Sequence, residues 1–279
     1  MKPAIKEKFK GYELVDAYPE DGWLKGYFYA VEEDIASSGL KLQKAYQDLG
    51  SIRHRDYILH LLGIKNGERV LDVGCSIGAL MVYCGLLGAE VYGVDISGSS
   101  IEKANLYLKK YQLGGKAVVC DARKLNFADN YFDKVVSSDF FEHMTAQDNL
   151  QVLKEIRRVL KPGGLCVIRT PNLTYLKYAK LFKMLKRLFT FKNPFAIVIP
   201  QTQGEGRQHI GLLTKKQLLK IIQRAGFLNF RFYSDRNSRI EKINYGLAQY
   251  LAENHFLSGM FSEDLIVALR KPIILSFFP

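Results

Sequence analysis

Short apolar, β-branched runs alternate with longer stretches whose apolar residues recur at helical spacing, and this pattern fills the middle of the chain. Residues 70–73, 91–94, 118–120, 134–137 and 165–169 read as strands, since each is brief and rich in Val, Ile or Leu. Between them, 79–87, 99–111 and 146–160 read as helices. In the last of these Leu150, Leu153, Ile156 and Leu160 share one face, with Lys154, Arg157 and Arg158 turned away. Lys161-Pro-Gly-Gly164 is expected to stop that helix and turn the chain into the next strand. A final unit follows: a helix over 214–225, a stop at Gly226, then strands over 227–233 and 265–269. Strands alternating with helices predict an α/β, doubly wound sheet, largely parallel and covered on both faces. Three regions fall outside the alternation: the aromatic-rich start to Gly50, the stretch 173–208, and 237–262.

Candidate chemistry gathers at the strand ends. Val70-Leu-Asp-Val-Gly-Cys-Ser-Ile-Gly78 runs an apolar strand into a glycine turn from which a helix starts. Gly74 lets the backbone bend and a ligand approach, at the edge where open α/β sheets bind ligands. Gly-rich turns also join strands to helices with no ligand, so the acids that follow matter. Asp95 ends the second strand 23 positions after Asp72, a spacing suited to accepting hydrogen bonds from the ribose of an adenosine ligand. Asp121 lies at the end of the third, placed to meet an adenine amino group. Neither Gly-x-Gly-x-x-Gly nor Gly-x-x-x-x-Gly-Lys-Ser/Thr is present. That argues against a dinucleotide site and a kinase-type phosphate loop.

These motifs together resemble the class I S-adenosylmethionine-dependent methyltransferases, especially the small-molecule branch of the ubiquinone-biosynthesis O-methyltransferases. The likeness covers residues 69–172 and resumes at 209–227. The family's Asp-x-Gly-x-Gly-x-Gly loop is matched by Asp72, Gly74 and Gly78, with Cys75 between and Ser76 standing at the middle glycine. Asp95, followed by Ile96, is similar to the ribose-binding acid, and Asp121-Ala122 to the adenine-contacting pair. Phe132-Asp-Lys-Val-Val-Ser-Ser-Asp-Phe-Phe-Glu-His-Met144 resembles the fourth strand and its exit into the active site, and so brings Ser138 and Asp139 into the cofactor-binding set. Arg158-Val-Leu-Lys-Pro-Gly-Gly164 and the spaced run from His209 through Ala225-Gly-Phe227 complete the likeness. The resemblance implies a Rossmann-like sheet of seven strands with the last antiparallel. It also implies S-adenosylmethionine as cofactor, S-adenosylhomocysteine as product, and a small-molecule, lipid-linked or saccharide acceptor methylated on oxygen.

A hydroxyl nucleophile must lose a proton, and His143 is the best base, since imidazole titrates near neutrality. The competing reading makes it a cap for the following helix. Glu142 could orient it, and His209 is the second catalytic candidate. Sequence spacing offers no second carboxylate beside Glu142, so no metal is expected. His54, His60 and His255 carry no motif. Arg53 and Arg55 could reach the cofactor's methionine carboxylate, and Tyr12, Tyr18, Trp23, Tyr27 and Tyr29 could close over substrate; solvation and ordinary packing explain them equally well.

Composition narrows the setting. With 48% apolar and 24% charged residues the chain is an ordinary globular protein, and its net charge of +12 favours anionic partners without choosing among them. Four cysteines with no Cys-x-x-Cys pair suggest reduced, buried thiols. No apolar run reaches the ~18 residues of a membrane span and no signal peptide is evident, so a cytoplasmic protein is expected, at most peripheral to a membrane. Residues 175–189 form an amphipathic pattern, Leu181, Phe182, Leu185, Leu188 and Phe189 on one face, Lys180, Lys183, Lys186 and Arg187 on the other. Such a helix either packs as a lid, apolar face to the core, or lies on an anionic membrane. The expected organisation is an N-terminal cap (1–50), the cofactor-binding core (51–172), an inserted lid (173–208) and the rest of the sheet (209–279). A nucleic-acid methyltransferase is the main alternative, disfavoured because Ser138-Asp139-Phe140 replaces the Asn/Asp-Pro-Pro-Tyr/Phe of base-amino methylation. A non-catalytic S-adenosylmethionine-binding protein is the other. The oligomeric state is not legible.

Overall fold

In the computed structural model, which describes residues 49–197, 209–234, 240, 243–254 and 257–273, seven strands form one sheet. They are β1 (Arg69–Val73), β2 (Glu90–Asp95), β3 (Gly115–Val119), β4 (Phe132–Ser138), β5 (Leu160–Pro171), β6 (Asn229–Tyr233) and β7 (Asp264–Arg270). Their order is β3-β2-β1-β4-β5-β7-β6. All neighbours from β3 to β5 pair in parallel, whereas β7 runs antiparallel to both β5 and β6. This is the doubly wound sheet that the alternating pattern predicts, with the seven strands and antiparallel last strand that the resemblance implies.

Helices α1 (Leu49–Leu62), α2 (Ala79–Leu86) and α3 (Gly98–Lys110) cover one face. Ile58, Leu62, Met81 and Ala104 pack there against Val70, Val91 and Val136. On the other face α4 (Ala146–Val159) and α6 (Lys215–Arg224) bring Val152, Ile156, Leu218 and Ile222 onto Leu71, Val73 and Val135. Val70 and Leu71 enter opposite cores because successive side chains of a strand point to opposite faces. The chain between β1 and β2 passes on one side and that leading to β4 on the other, so a crevice opens at the β1/β4 junction.

Several local expectations change. Lys161-Pro-Gly-Gly164 does not precede β5 but lies within it, as an irregularity where the register jumps from Phe132↔Leu160 to Lys134↔Leu165. The third strand ends at Val119, so Asp121 sits in the following turn. Arg158 is only partly exposed: it bonds Glu155, Asp129 and the carbonyls of Leu125 and Phe127, tying α4 to the loop before β4. Region 237–262 contains α7 (Tyr245–Glu253) and α8 (Ser258–Phe261), whose short lengths gave no periodic signal.

The insertion begins as the expected helix, α5 (Leu173–Phe189), capped by the Asn172 side chain. None of its residues is buried, and Leu181, Phe182, Leu188 and Phe189 are exposed. A lid packing this apolar face on the core is therefore not what forms. The N-terminal cap with its aromatic residues, His255 and residues 198–208 lie outside the described residues. Among those described, no helix is long and apolar enough to cross a membrane.

Candidate active site

The loop from β1 into α2 has a built reason for each small residue. Gly74 has φ +77°, and a Cβ there would run into the Phe140 ring (2.8 Å from Cγ). Its N–H and that of Cys75 donate to the Val94 carbonyl, which stitches the loop to β2. Ser76 occupies the left-handed region at φ 47°, the conformation a glycine would take, and its N–H donates to Asp95 Oδ2 at 2.9 Å. Gly78, at φ +82°, caps α2 and lets α3 approach, since its Cβ would stand 2.8 Å from that of Ala104.

The predicted acids are differently placed from one another. Asp72 is buried in β1, and burial, then the charge of Asp95, pushes its carboxyl up to about 7. Asp95 accepts from Ser76 N–H with one oxygen and from Ser97 N–H with the other, so it braces both loops at the crevice. Each oxygen keeps a lone pair for a further donor. Ile96 beside it is 78% exposed, an apolar surface held out into solvent. Asp121 is not free for a ligand's amino group: Arg123 grips it through Nε and Nη2 and bridges on to Asp148. That bonding holds the Asp121 carboxyl below the usual range. Ala122 is buried beneath it.

At the exit of β4 the chain turns sharply. Asp139 takes φ 55° and receives Arg169 Nη1 at 2.7 Å, while Arg169 Nη2 holds Asp264 on β7 at 2.7 Å. Ser138 Oγ bonds Asp139. Arg55, from α1, approaches Tyr83 and Asp139; burial lowers its guanidinium's proton affinity. The side chains of Arg53 and His54 lie outside the described residues.

The turn then places Phe141–His143 in a single 3₁₀ turn, and Thr145, not His143, caps α4. Glu142 is 1% exposed and accepts from Thr170 Oγ1 at 2.9 Å. Desolvation, then the charge of Asp139, raises its carboxyl to about 7. His209 arrives from a distant segment and meets His143 edge to face, ring centroids 4.8 Å apart. Burial, then His143, lowers the His209 proton affinity, and its Nδ1 is buried without a partner among the described residues. Ligand-capable atoms of Glu142, His143 and His209 all lie within 4.8 Å of one another. Sequence spacing pairs only the first two, so the fold supplies a two-histidine, one-carboxylate group that could hold a divalent cation.

Residues that the motifs do not single out make this meeting possible. Gly211 N–H donates to the Glu142 carbonyl, and a Cβ at Gly211 would fall on the Met144 carbonyl oxygen. Asn149 Nδ2 holds the Phe141 carbonyl from inside α4. Thr170 and Arg169 come from β5, and only strand register tells that they face Glu142 and Asp139.

Residues 71–168 match the family model described as a methyltransferase domain. A demethylmenaquinone methyltransferase of Staphylococcus aureus is 32% identical over 221 residues, which cover 74% of this chain and 89% of that protein. A sterol 24-C-methyltransferase of Saccharomyces cerevisiae is 33% identical over 160 residues, 55% of this chain, and only 38% of that protein's length is spanned. The chain spans less than two-fifths of the sterol enzymes it matches. Among solved structures, a SAM-dependent methyltransferase of Methanosarcina mazei superposes with a TM-score of 0.54 at 22% identity, covering 77% of this chain and 97% of that one, which establishes the fold. With the S. aureus enzyme matched over most of its length, the chain belongs to the S-adenosylmethionine-dependent methyltransferases.

Proposed function

We propose that the protein moves the methyl group of S-adenosylmethionine onto a small apolar acceptor, through a hydroxyl oxygen that loses its proton as the new bond forms. The observation that carries this is the convergence of Glu142, His143 and His209 just beyond β4, at the crevice mouth. The crevice residues fit the cofactor: glycine-lined backbone at 74 and 78, an acid at Asp95 with acceptor capacity left, and exposed Ile96 suited to a flat base. When bound, S-adenosylmethionine supplies an electrophilic methyl on a sulfonium.

In this reading the loop from Asp72 through Gly74, Cys75, Ser76 and Gly78 cradles the cofactor. Asp95 takes the ribose hydroxyls, and Ile96 with Asp121-Ala122 borders the adenine, Asp121 acting through Arg123. Ser138, Asp139 and Arg55 border the methionine end. Holding donor and acceptor in line can supply ~7–11 kcal/mol of the barrier. His143 would take the acceptor's proton, and S-adenosylmethionine, when bound, would supply the methyl and leave as S-adenosylhomocysteine. His209, whose proton affinity burial lowers, holds the His143 ring edge to face, and Glu142 orients the pair. The names of the relatives, sterol and demethylmenaquinone methyltransferases, support an apolar ring compound as acceptor. The "24-C" in the sterol enzymes' name favours a second reading, attack by carbon, which equally ends in loss of a proton.

Methyl-labelled cofactor and a panel of hydroquinones and sterols test both. Magnetic resonance of the product separates an oxygen-bound methyl from a carbon-bound one. His143→Ala should lower turnover by ~10²–10⁴ while S-adenosylhomocysteine affinity holds. Full turnover in that variant would remove His143 as the base.

A further inference from the structure

We propose that α5 is a membrane-surface anchor, its apolar stripe entering the interface of an anionic lipid bilayer. Where amphipathic helices α4 and α6 pack on the sheet, the centre of the apolar face is sealed: Val152, Ile156, Leu218 and Ile222 are 0% exposed. α5 does the reverse. Leu181, Leu188, Phe182 and Phe189 are 51, 60, 72 and 81% exposed, and Phe191 and Phe195 beyond the helix are equally open. The side of α5 that is partly covered carries Leu176, Lys180, Met184 and Arg187, so packing is satisfied without the stripe.

The charge says what the stripe meets. α5 contains Lys177, Lys180, Lys183, Lys186 and Arg187 and no acidic residue. On the helical wheel Lys177 and Lys186 stand at the two borders of the stripe, where their ammonium groups can reach headgroups while the apolar side chains sink. Two such helices, each with five cations, repel one another, which disfavours a second copy as the occupant. An apolar stripe bordered by cations is the pattern of an interfacial helix on anionic lipid. Its position gives it use. α5 is capped by Asn172, two residues after Thr170, the partner of Glu142, and Leu173 N–H donates to the Leu213 carbonyl in the segment that brings His209. A bilayer under α5 would therefore lie beside the crevice. The anchor is independent of which acceptor is methylated.

The test is co-sedimentation of the full-length protein with vesicles of phosphatidylglycerol mixed with phosphatidylcholine, against phosphatidylcholine alone. Wild type should pellet with the anionic vesicles at low salt and be released at high salt, since exposed charges are screened beyond ~8 Å at physiological ionic strength. K177Q/K186Q should bind roughly twenty-five-fold more weakly, at about fivefold per cation. F182S/F189S, with every charge kept, should weaken by about tenfold or more, because the rings no longer enter the interface. Calorimetric binding of S-adenosylhomocysteine should stay at the wild-type value in both variants, which shows them folded and separates this result from the catalytic reading. Wild type remaining in the supernatant with anionic vesicles would overturn the proposal. So would F182S/F189S binding like wild type, since the stripe would then be idle. A wild-type dimer that F182S/F189S dissociates, without vesicle binding, would instead make the stripe a contact between copies.

Discussion

Replacing Glu142 by Gln separates the electrostatic cost of this site from its chemistry. Glu142 is 1% exposed, and its carboxyl sits at about 7 because burial disfavours the charge and Asp139 adds repulsion. In the unfolded chain it ionises in the ordinary glutamate range, near 4.3 on the general scale. Below that range both states are protonated and the carboxyl's favourable contribution is fully present. As pH rises toward 7 the unfolded chain ionises first, and stability falls by about 1.4 kcal/mol per pH unit. Above 7 both states are charged and the loss levels off at about 3.7 kcal/mol. Glutamine keeps the shape and the bond to Thr170 but cannot ionise. E142Q should match wild type at a pH below the ordinary glutamate range and be more stable by up to about 3.7 kcal/mol at pH 8.5. The carboxyl of Asp72, also raised to about 7 but by burial and Asp95, slopes both proteins alike and cancels. Urea denaturation at a series of pH values measures the difference directly. Parallel curves for the two proteins from pH 4.5 to 8.5 would refute the claim that Glu142 is held against ionisation.

Two further outcomes follow from the site. D95A should lose both the loop brace at Ser76 and Ser97 and the ribose partner, weakening S-adenosylhomocysteine by roughly ten- to hundredfold, at ~1.5–3 kcal/mol for a charge-assisted bond; unchanged calorimetric affinity would remove Asp95 from the cofactor site. If Glu142, His143 and His209 work as proton-handling groups, turnover should survive dialysis against a chelator; loss of activity that returns with a divalent cation would make the three a metal site instead.

Periodicity gave the strands of the sheet and helices α2, α3, α4 and α6 on its faces, because each buries a continuous apolar surface with its own repeat; α1, on the same face as α2 and α3, was not read from it. The glycine turn and Asp95 were legible for the same local reason: conformation and spacing are written in neighbouring residues. Ser76 shows the limit, since its glycine-like φ is held by a bond to Asp95 that only folding creates. Asp121 shows another. Its neighbour Arg123 was visible in the sequence, but not that the guanidinium would fold back on it and on Asp148, 25 positions ahead of Arg123.

What the sequence by itself determined, then, is the alternation, the crevice and its glycine loop, since these depend on contacts within a strand–turn–helix unit. Tertiary structure alone decided that His209 meets His143 and Glu142, through the close approach that Gly211 permits across 66 residues of chain. It also decided that the stripe of α5 stays open. A helical wheel tells which residues share a face, but whether that face is covered depends on whether another element arrives opposite it, and here the described core is filled without α5.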